Sequence, residues 1–458
     1  MNPSDLPLMK FVVKQRNKLS SKGHYIDWEP VAWTFAIINV LFLFLAPFQA
    51  LRNFEFLLFF APLWLPLLTI YAAANRVVQY RRAKFLAKQK YVLLELRLPR
   101  ETKKTPLAME LFFSNMHFGP GESTNYKVYK LGNIRPWWSV EIVSLGGQVH
   151  FYIWTREAHR RGIESYLYSQ YPDMEIIEAE DYSLITDPSD DEHKLFGEEF
   201  IKSIPDEKGQ PDPYPIKTYI EYGLDKAGTK PEEQIDPLAQ VIELLGSLGP
   251  KEQFWIQIMF RITKKEKYNG EKDWKKAGQE EIAKIREATR QKSYYIDPAT
   301  GKKVETDGFP NPTKGQLETI ADIERNINKP GFDVGIRTIY SGPKDSYQGF
   351  MSSFVLALWK PFANETGASL KQLGGYSAGF NDYPWEDPKG LAHDFVEKKI
   401  VKLYRRRAFF NQPYQGPWSI MSSEELATLF HIPSSTINTP GLPRIQSTTR
   451  GAPTNLPV

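Results

Sequence analysis

Two long apolar runs near the N-terminus constrain the fold most strongly. Val31–Phe48 holds eighteen residues without a charge, and Phe56–Ala74 holds nineteen more. A helix needs about 20 apolar residues to cross the hydrocarbon core of a bilayer. A secretory signal peptide is a poor alternative, because the first run begins far into the chain and a second run follows it directly. The pattern predicts a two-helix transmembrane hairpin over residues 31–75.

The distribution of charge predicts the orientation of this hairpin. Residues 1–90 carry 12 Lys and Arg against 4 Asp and Glu, whereas the rest of the chain carries 46 against 50. Because Lys and Arg beside a span stay in the cytoplasm, we expect a bacterial inner (cytoplasmic) membrane protein with both termini and the soluble region cytoplasmic. Residues 1–30 form the first cytoplasmic segment and residues 76–90 a basic juxtamembrane helix. The residues predicted to contact membrane lipids are Trp33, Trp64, Arg76, Arg81, Arg82 and Lys84.

Other readings of the apolar runs stay open at this point. Pro47, Pro62 and Pro66 interrupt the two runs, and each proline removes a backbone hydrogen bond from a helix. A re-entrant or interfacial hairpin would tolerate such breaks, and so would a hairpin buried in the core of a soluble domain.

The region after the hairpin contains a repeat. Residues 91–185 show the order strand, helix, strand, strand, helix, strand, with Gly146-Gly147 predicted to turn a hairpin. This order is the split βαβ arrangement of a ferredoxin-like domain. A weaker copy follows an acidic linker at 186–213. It covers residues 214–342, begins with a strand at Ile216–Tyr222, and holds a charged insertion at 264–314.

The predicted fold class is therefore α+β. A two-helix transmembrane hairpin precedes tandem ferredoxin-like domains, a C-terminal α-rich segment at 343–432 and a Pro-rich C-terminal tail at 433–458. Within the α-rich segment, Ser422 or Ser423 is expected to cap a helix, with a Glu close behind.

Motifs of known chemistry are mostly missing from the sequence. The chain has no cysteine, so thiolate nucleophiles, thiolate metal sites and disulfides are excluded. Gly223–Lys230 inverts the last pair of a phosphate-binding P-loop, and the seven histidines show no metal-ligand spacing. We therefore predict no catalytic residue, no cofactor and no metal. The near-neutral soluble region gives no support for direct nucleic-acid binding.

One pattern leaves an enzymatic alternative open. Gly375–Gly379 satisfies G-x-S-x-G around Ser377, with Asp382, His393 and Asp394 downstream. Such a serine is a nucleophile only on a tight turn from a strand to a helix. The flanking residues predict neither element, so we interpret the segment as a glycine-rich loop. A membrane-associated serine hydrolase is the alternative function.

Two C-terminal segments carry a resemblance to a known family. Tyr404–Phe410 and Ser422–Pro433 resemble the segment that precedes the motor domain in conjugation or type IV secretion ATPases. The layout as a whole is similar to the N-terminal, membrane plus pre-motor region of these HerA/FtsK-like, VirB4/TraG-related proteins. In the fused members a Walker A strand and loop follow this point, and here the printed sequence contains none.

The resemblance implies a function by position rather than by chemistry. It implies a membrane-anchored, non-catalytic scaffold or assembly component that positions a P-loop ATPase on a separate chain, with a homo-oligomer as a further expectation. A nucleic-acid-binding coupling factor is another alternative. The residues predicted to dock the partner are Glu424, Glu425, Leu426, Leu429 and Phe430.

Overall fold

The computed structural model describes most of the chain after the first apolar run. The described residues are Glu55, Phe59 and residues 61–99, 102, 104–119, 124–185, 192–205, 211–226, 235–264, 273–296, 303–374, 391–411, 414–434 and 441–445. They divide into two compact units. The smaller unit contains the described residues up to Lys88 and those between Glu122 and Ile134, together with Lys264 and Asp273, and the larger unit contains the remainder.

The smaller unit is built on one long helix. Helix α1 spans Ala61–Ala87 and includes Pro66. A π-helical turn at Tyr126–Lys130 packs beside it.

The predicted transmembrane hairpin is wrong. Among the described residues, no helix combines the length and the apolar character that crossing a membrane requires. The predicted location in the bacterial inner membrane was inferred from this hairpin, so that prediction is wrong as well. The first predicted span, Val31–Phe48, lies outside the described residues, as does the segment at 1–30.

The first half of the larger unit has the topology of a split βαβ motif. Strands β1 and β2 flank helix α2, a tight turn joins β2 to β3, and helix α3 leads to β4. The four strands form an antiparallel sheet in the order β4-β1-β3-β2. Gly146 and Gly147 turn the β2–β3 hairpin at φ of +59° and +83°, which confirms the predicted turn. The bounds are β1 Tyr91–Pro99, α2 Leu107–Met116, β2 Trp138–Leu145, β3 Gln148–Arg156, α3 Glu157–Gln170 and β4 Glu175–Ala179.

The second half repeats the same strand order with an insertion. A short helix α4 leads into strand β5, helix α5 and strand β6. The inserted elements α6, β7, β8 and α7 precede strand β9, which helix α8 connects to β10. The order β10-β5-β9-β6 is again antiparallel. The bounds are α4 Tyr182–Ile185, β5 His193–Ser203, α5 Pro237–Gly246, β6 Gln253–Ile262, α6 Trp274–Ala288, β7 Arg290–Ile296, β8 Lys303–Pro310, α7 Lys314–Ile327, β9 Gly331–Pro343, α8 Met351–Ala357 and β10 Ser369–Gln372.

The two halves share one continuous sheet. Strand β2 pairs with β6 along its whole length, from Trp138 opposite Phe260 to Leu145 opposite Gln253. The C-terminal elements then complete the sheet: β13 pairs with β9, and β14 pairs in parallel with the end of β1. Their bounds, with those of the remaining elements, are α9 Leu391–Arg405, β11 Phe410–Asn411, β12 Tyr414–Gln415, β13 Ser419–Ser422, α10 Ser423–Leu429 and β14 Arg444–Ile445.

Several predicted boundaries change as a result. The supposed acidic linker at 186–213 contains strand β5, and Ile216–Tyr222 is a series of turns rather than a strand. The insertion at 264–314 contains a helix and a two-stranded hairpin, β7–β8. The tail at 433–458 contributes strand β14. A helix capped by Ser422 with Glu425 in a capping box is confirmed as α10.

The two faces of the sheet are chemically different. One face is apolar and packs under α2, α3, α5, α8 and α10, with fully buried aromatic side chains such as Phe112, Phe254 and Trp359. Burial of this apolar surface is the main stabilising contribution to such a core. The other face presents polar side chains at alternate strand positions, among them Glu141, Gln257 and Arg337, all fully buried.

Candidate functional site

A C-terminal segment covers the polar face of the sheet. We call residues 404–411 and 414–418 the strap; they begin in the last turn of helix α9 and continue beyond its end. Its Phe409 ring lies against Gly335 of β9, where an added Cβ would come within 2.4 Å of the ring. The Arg261 guanidinium of β6 lies 4.5 Å from the Phe410 ring centroid and 4.9 Å from that of Trp418. Aromatic and cationic groups therefore alternate where the strap contacts the sheet.

Arg407 is the centre of the strap. Its backbone has φ of +46°, a left-handed conformation that costs free energy in a residue with a Cβ. Its guanidinium donates to both Glu141 carboxylate oxygens, at 3.0 and 3.1 Å, and also to both Asp181 carboxylate oxygens. The Trp137 indole donates to the Arg407 carbonyl at 3.0 Å. These contacts hold the strained backbone in place.

The Glu141 carboxylate accepts further hydrogen bonds inside the sheet. Ser139 Oγ donates to it at 2.8 Å, Gln257 Nε2 at 3.0 Å and Tyr182 Oη at 2.7 Å. Tyr182 Oη also lies 2.7 Å from Tyr404 Oη. Glu141 is fully buried, and a buried carboxylate is tolerated only when it is paired and hydrogen-bonded in this way.

A second buried arginine links the strap to the other half of the sheet. Arg337 of β9 donates to Glu199 Oε1 of β5 at 2.6 and 3.0 Å and to Gln257 Oε1 at 3.2 Å. It also donates to the Ala408 carbonyl at 3.1 Å, and Tyr414 Oη donates to the other Glu199 oxygen. Through Gln257 the two arginine clusters form one network beneath the strap.

The titration behaviour of this network favours a structural role. Burial raises the pKa of Asp181, but the Arg407 guanidinium outweighs burial and the pKa is lowered overall. Burial raises the pKa of both Tyr182 and Tyr404 well above the usual range. General acid–base catalysis is most efficient when the pKa lies near the working pH. Each pKa here moves away from neutral pH, so Asp181 keeps its negative charge and the two tyrosines stay protonated and neutral.

The residues predicted to dock a partner lie inside the protein. Leu426, Leu429 and Phe430 are fully buried against the apolar face, and the side chains of Glu424 and Glu425 are buried as well. Glu425 Oε1 pairs with Lys202 Nζ at 2.7 Å, and neither side chain has any exposed surface. These five residues form the interior of the fold and present no docking surface.

Glu424 belongs to a separate ionic cluster. Lys329 Nζ lies 2.6 Å from Glu424 Oε2 and 2.8 Å from Glu110 Oε1. Thr218 Oγ1 donates to Glu424 Oε1 at 2.5 Å, and Tyr219 Oη donates to Glu110 Oε2 at 2.6 Å. The cluster joins α2, α10 and the turns near residue 218.

The residues that were predicted to contact lipid lie in different environments in the structure. Trp33 lies outside the described residues, and Trp64 lies on α1. Arg76 and Lys84 are exposed on α1, Arg82 is partly exposed, and Arg81 donates to the Tyr129 carbonyl at 2.9 Å. Ser377 and its G-x-S-x-G segment lie outside the described residues. The described part of the chain shows no group of three or more His, Cys, Asp or Glu side chains arranged to hold a metal.

One histidine forms a buried ion pair that the sequence did not reveal. His431 Nε2 lies 3.0 Å from Asp236 Oδ2, and Asp236 also caps helix α5 through the Leu238 amide. Burial lowers the pKa of His431, but the Asp236 carboxylate outweighs it and the pKa is raised overall. Burial raises the pKa of Asp236, and His431 reverses this so that the pKa is lowered overall.

We expect the stability of the protein to depend on this pair in a defined direction. Because the pKa of His431 is raised in the folded state, its protonation contributes to the free energy of unfolding in full below about pH 6.5. This contribution is lost as the pH rises through the folded-state pKa. Because the pKa of Asp236 is lowered, its ionised carboxylate contributes to the free energy of unfolding above about pH 4, and this contribution is lost in stronger acid. In urea unfolding, Asp236→Asn should therefore destabilise the protein more at pH 5.5 than at pH 8.5. An equal effect at both pH values would contradict the pairing.

The sequence does contain a signal for the polar face of the sheet, because polar residues alternate with apolar ones inside two of its strands. Ser139 and Glu141 alternate with apolar residues in β2, and Gln257 and Arg261 do the same in β6. Alternation of this kind indicates a strand with one face outside the apolar core, but it does not show which segment covers that face. Two exposed aromatic residues at the start of α8, the N-cap Phe350 and Phe354, were also missed.

Fold and site together define an α+β protein in which two ferredoxin-like halves share one sheet, and a C-terminal strap is locked to its polar face by buried arginines. The chain belongs to the family described as a domain of unknown function, DUF8128, whose sequence model matches residues 79–349. A comparison with curated proteins finds no match. The family description does not bear on conjugation ATPases, so that resemblance and the place in a secretion or conjugation system stay predictions. Only the membrane anchor that they included is wrong.

Proposed function

We propose that this protein is a non-catalytic scaffold that positions a P-loop ATPase carried on a separate chain. The observation that carries the proposal is a pair of exposed aromatic side chains in the first turn of helix α8, one on its N-cap residue Phe350 and one on Phe354. Phe350 is 57% and Phe354 47% exposed, and their ring centroids lie 5.8 Å apart. Exposed aromatic side chains of this size at one place on a surface are typical of protein interfaces.

The helix that bears this pair is held firmly. Met351 and Val355 on its inner side are buried in the apolar core. Trp359, directly after α8, packs edge to face against Phe200 of β5. A docking surface on a fixed element loses little conformational entropy on binding, which suits a scaffold that sets the position of its partner. The ATPase as the class of partner is supported by the resemblance of the strap and α10 segments.

We expect Phe350→Ser combined with Phe354→Ser to abolish capture of an ATPase by the full chain. The wild-type chain, expressed in its own cells with an affinity tag, should retain a protein that is photolabelled by azido-ATP and contains a Walker A motif. Each aromatic anchor contributes about 2 kcal/mol or more to a typical interface, so the double variant should retain at least about tenfold less.

Phe309→Ser is the matched control, because Phe309 is 93% exposed and lies on the β7–β8 hairpin. It should retain as much ATPase as the wild type. Failure to recover an azido-ATP-labelled protein would overturn the proposed function. Equal retention by the α8 double variant would overturn the assignment of α8 as the docking surface.

A further inference from the structure

We propose that the smaller unit carries a binding surface for single-stranded nucleic acid. The surface consists of residues 76–87 of α1 and residues 126–130 of the π-helical turn beside it. We call it the basic aromatic surface. The proposal is independent of the scaffold function, because it uses neither helix α8 nor an ATPase partner.

Helix α1 places cationic and aromatic groups on one side. Arg76, Tyr80 and Lys84 follow one another at intervals of four residues, so they lie on one helix face. All three are exposed, and Tyr80 is 68% exposed. The tyrosine ring therefore stands between two positive charges, each about 6 Å away along the helix axis.

The π-helical turn adds a second row of the same composition. Lys127 and Lys130 are exposed, and Tyr126 and Tyr129 are 60% and 50% exposed. Arg81 of α1 donates to the Tyr129 carbonyl at 2.9 Å, which fastens the turn to the helix. Gly132 allows this close packing: its φ is +70°, and an added Cβ would lie 2.5 Å from the Arg81 carbonyl carbon.

Among the described residues, this surface presents cations without a carboxylate partner. Residues 61–90 and 124–134 contain no Asp or Glu, and no described carboxylate forms an ion pair with Arg76, Lys84, Lys127 or Lys130. The near-neutral balance of residues 91–458 comes mainly from the larger unit and does not bear on α1. A patch with several cations and no anion fits a polyanion, because phosphate contacts release counterions and provide most of the affinity.

The interleaved tyrosines favour a single strand over other polyanions. Unpaired bases stack on exposed aromatic side chains, and this stacking tolerates any sequence. In a duplex the base faces are covered by neighbouring pairs, so exposed tyrosines would add little. Tyrosine side chains also lie at the interface of a lipid surface, but a bilayer offers no unpaired bases to stack on them, so a comparison of oligonucleotide with vesicles separates the two ligands.

We expect the full chain to bind a fluorescent twenty-nucleotide oligothymidylate, measured by anisotropy, and to bind a duplex of equal length more weakly. Lys127→Glu with Lys130→Glu should lower the affinity at least about tenfold and flatten the slope of log affinity against log salt, by about 0.7 per lost phosphate contact. Tyr80→Ala should lower it at least about fivefold through lost stacking. Gly132→Ala should weaken binding by separating the turn from α1.

Lys360→Glu with Lys398→Glu is the matched control, because both lysines are exposed on the larger unit. This pair should bind like the wild type. Failure to bind the oligonucleotide at any salt concentration would overturn the proposal, and so would equal loss in the control pair. The proposal would also be overturned if Tyr80→Ala left binding unchanged and if single strands, duplexes and phosphatidylglycerol vesicles bound equally well. That result would indicate a general anion-binding surface.

Discussion

Replacing Arg407 with alanine should destabilise the protein by about 3–5 kcal/mol, the usual cost of removing one partner from a buried ion pair. The substitution leaves Glu141 fully buried without its cation and removes the contacts of the guanidinium with Asp181. It also removes the group that anchors the strap to strand β2. Urea unfolding followed by tryptophan fluorescence measures the change, and Trp137, Trp154 and Trp255 near the strap supply the signal.

Arg406→Ala is the matched control, because Arg406 is the preceding residue and is exposed. It should change the free energy of unfolding by no more than about 0.5 kcal/mol. If Arg407→Ala cannot be purified folded, Arg407→Lys provides a second test. Lysine keeps the charge but lacks the planar fork that reaches two carboxylates, so its stability should lie below the wild type. Wild-type stability for both variants would contradict the assigned role of Arg407.

Local features of the fold could be predicted from the sequence because they depend on neighbouring residues. The Gly146-Gly147 turn and the capping box of α10 each have a signal within about four residues. The hydrogen bonds that define them also close within that distance. No distant partner was needed to predict them.

Features that depend on distant partners were predicted wrongly. Ile216–Tyr222 alternates like a strand, but the Ile216 amide donates to Glu425 and the Tyr219 amide to Thr428. Side chains of α10, some 200 residues away, thus satisfy the backbone that a neighbouring strand would otherwise pair. Conversely, the segment that forms β5 was predicted to be an acidic linker, because Glu198 and Glu199 interrupt its apolar residues. In the structure both glutamates are buried.

The candidate site could not be predicted from the sequence, because it also depends on residues that are distant along the chain. Nothing near Glu141 in the sequence indicates that Arg407, 266 residues away, neutralises it. In the sequence, Tyr404–Phe410 stood out only for its resemblance to a pre-motor segment. The structure shows instead that the third arginine of Arg405–Arg407 is the buried one, set inward by a left-handed backbone.

The largest expected effect on the helical side of the sheet comes from Lys202. Its ammonium group pairs with Glu425 Oε1 at 2.7 Å and donates to the carbonyls of Asp212 and Ile420 at 3.0 and 3.1 Å. Lys202→Met fills a similar volume but leaves Glu425 charged in a fully buried position. We expect a loss of about 3–5 kcal/mol in the free energy of unfolding.

A second substitution separates the charge from the packing. The Ile216 and Ser422 amides donate to different oxygens of Glu425. Glu425→Gln keeps one acceptor oxygen, enough for one of these amides, and it removes the negative charge. Lys202→Met combined with Glu425→Gln should therefore recover part of the stability that Lys202→Met alone loses, because no unpaired charge remains buried. Additive losses in this double-mutant cycle would contradict an interaction between the two residues. Recovery would show that these two charges are tolerated in the core only as a pair.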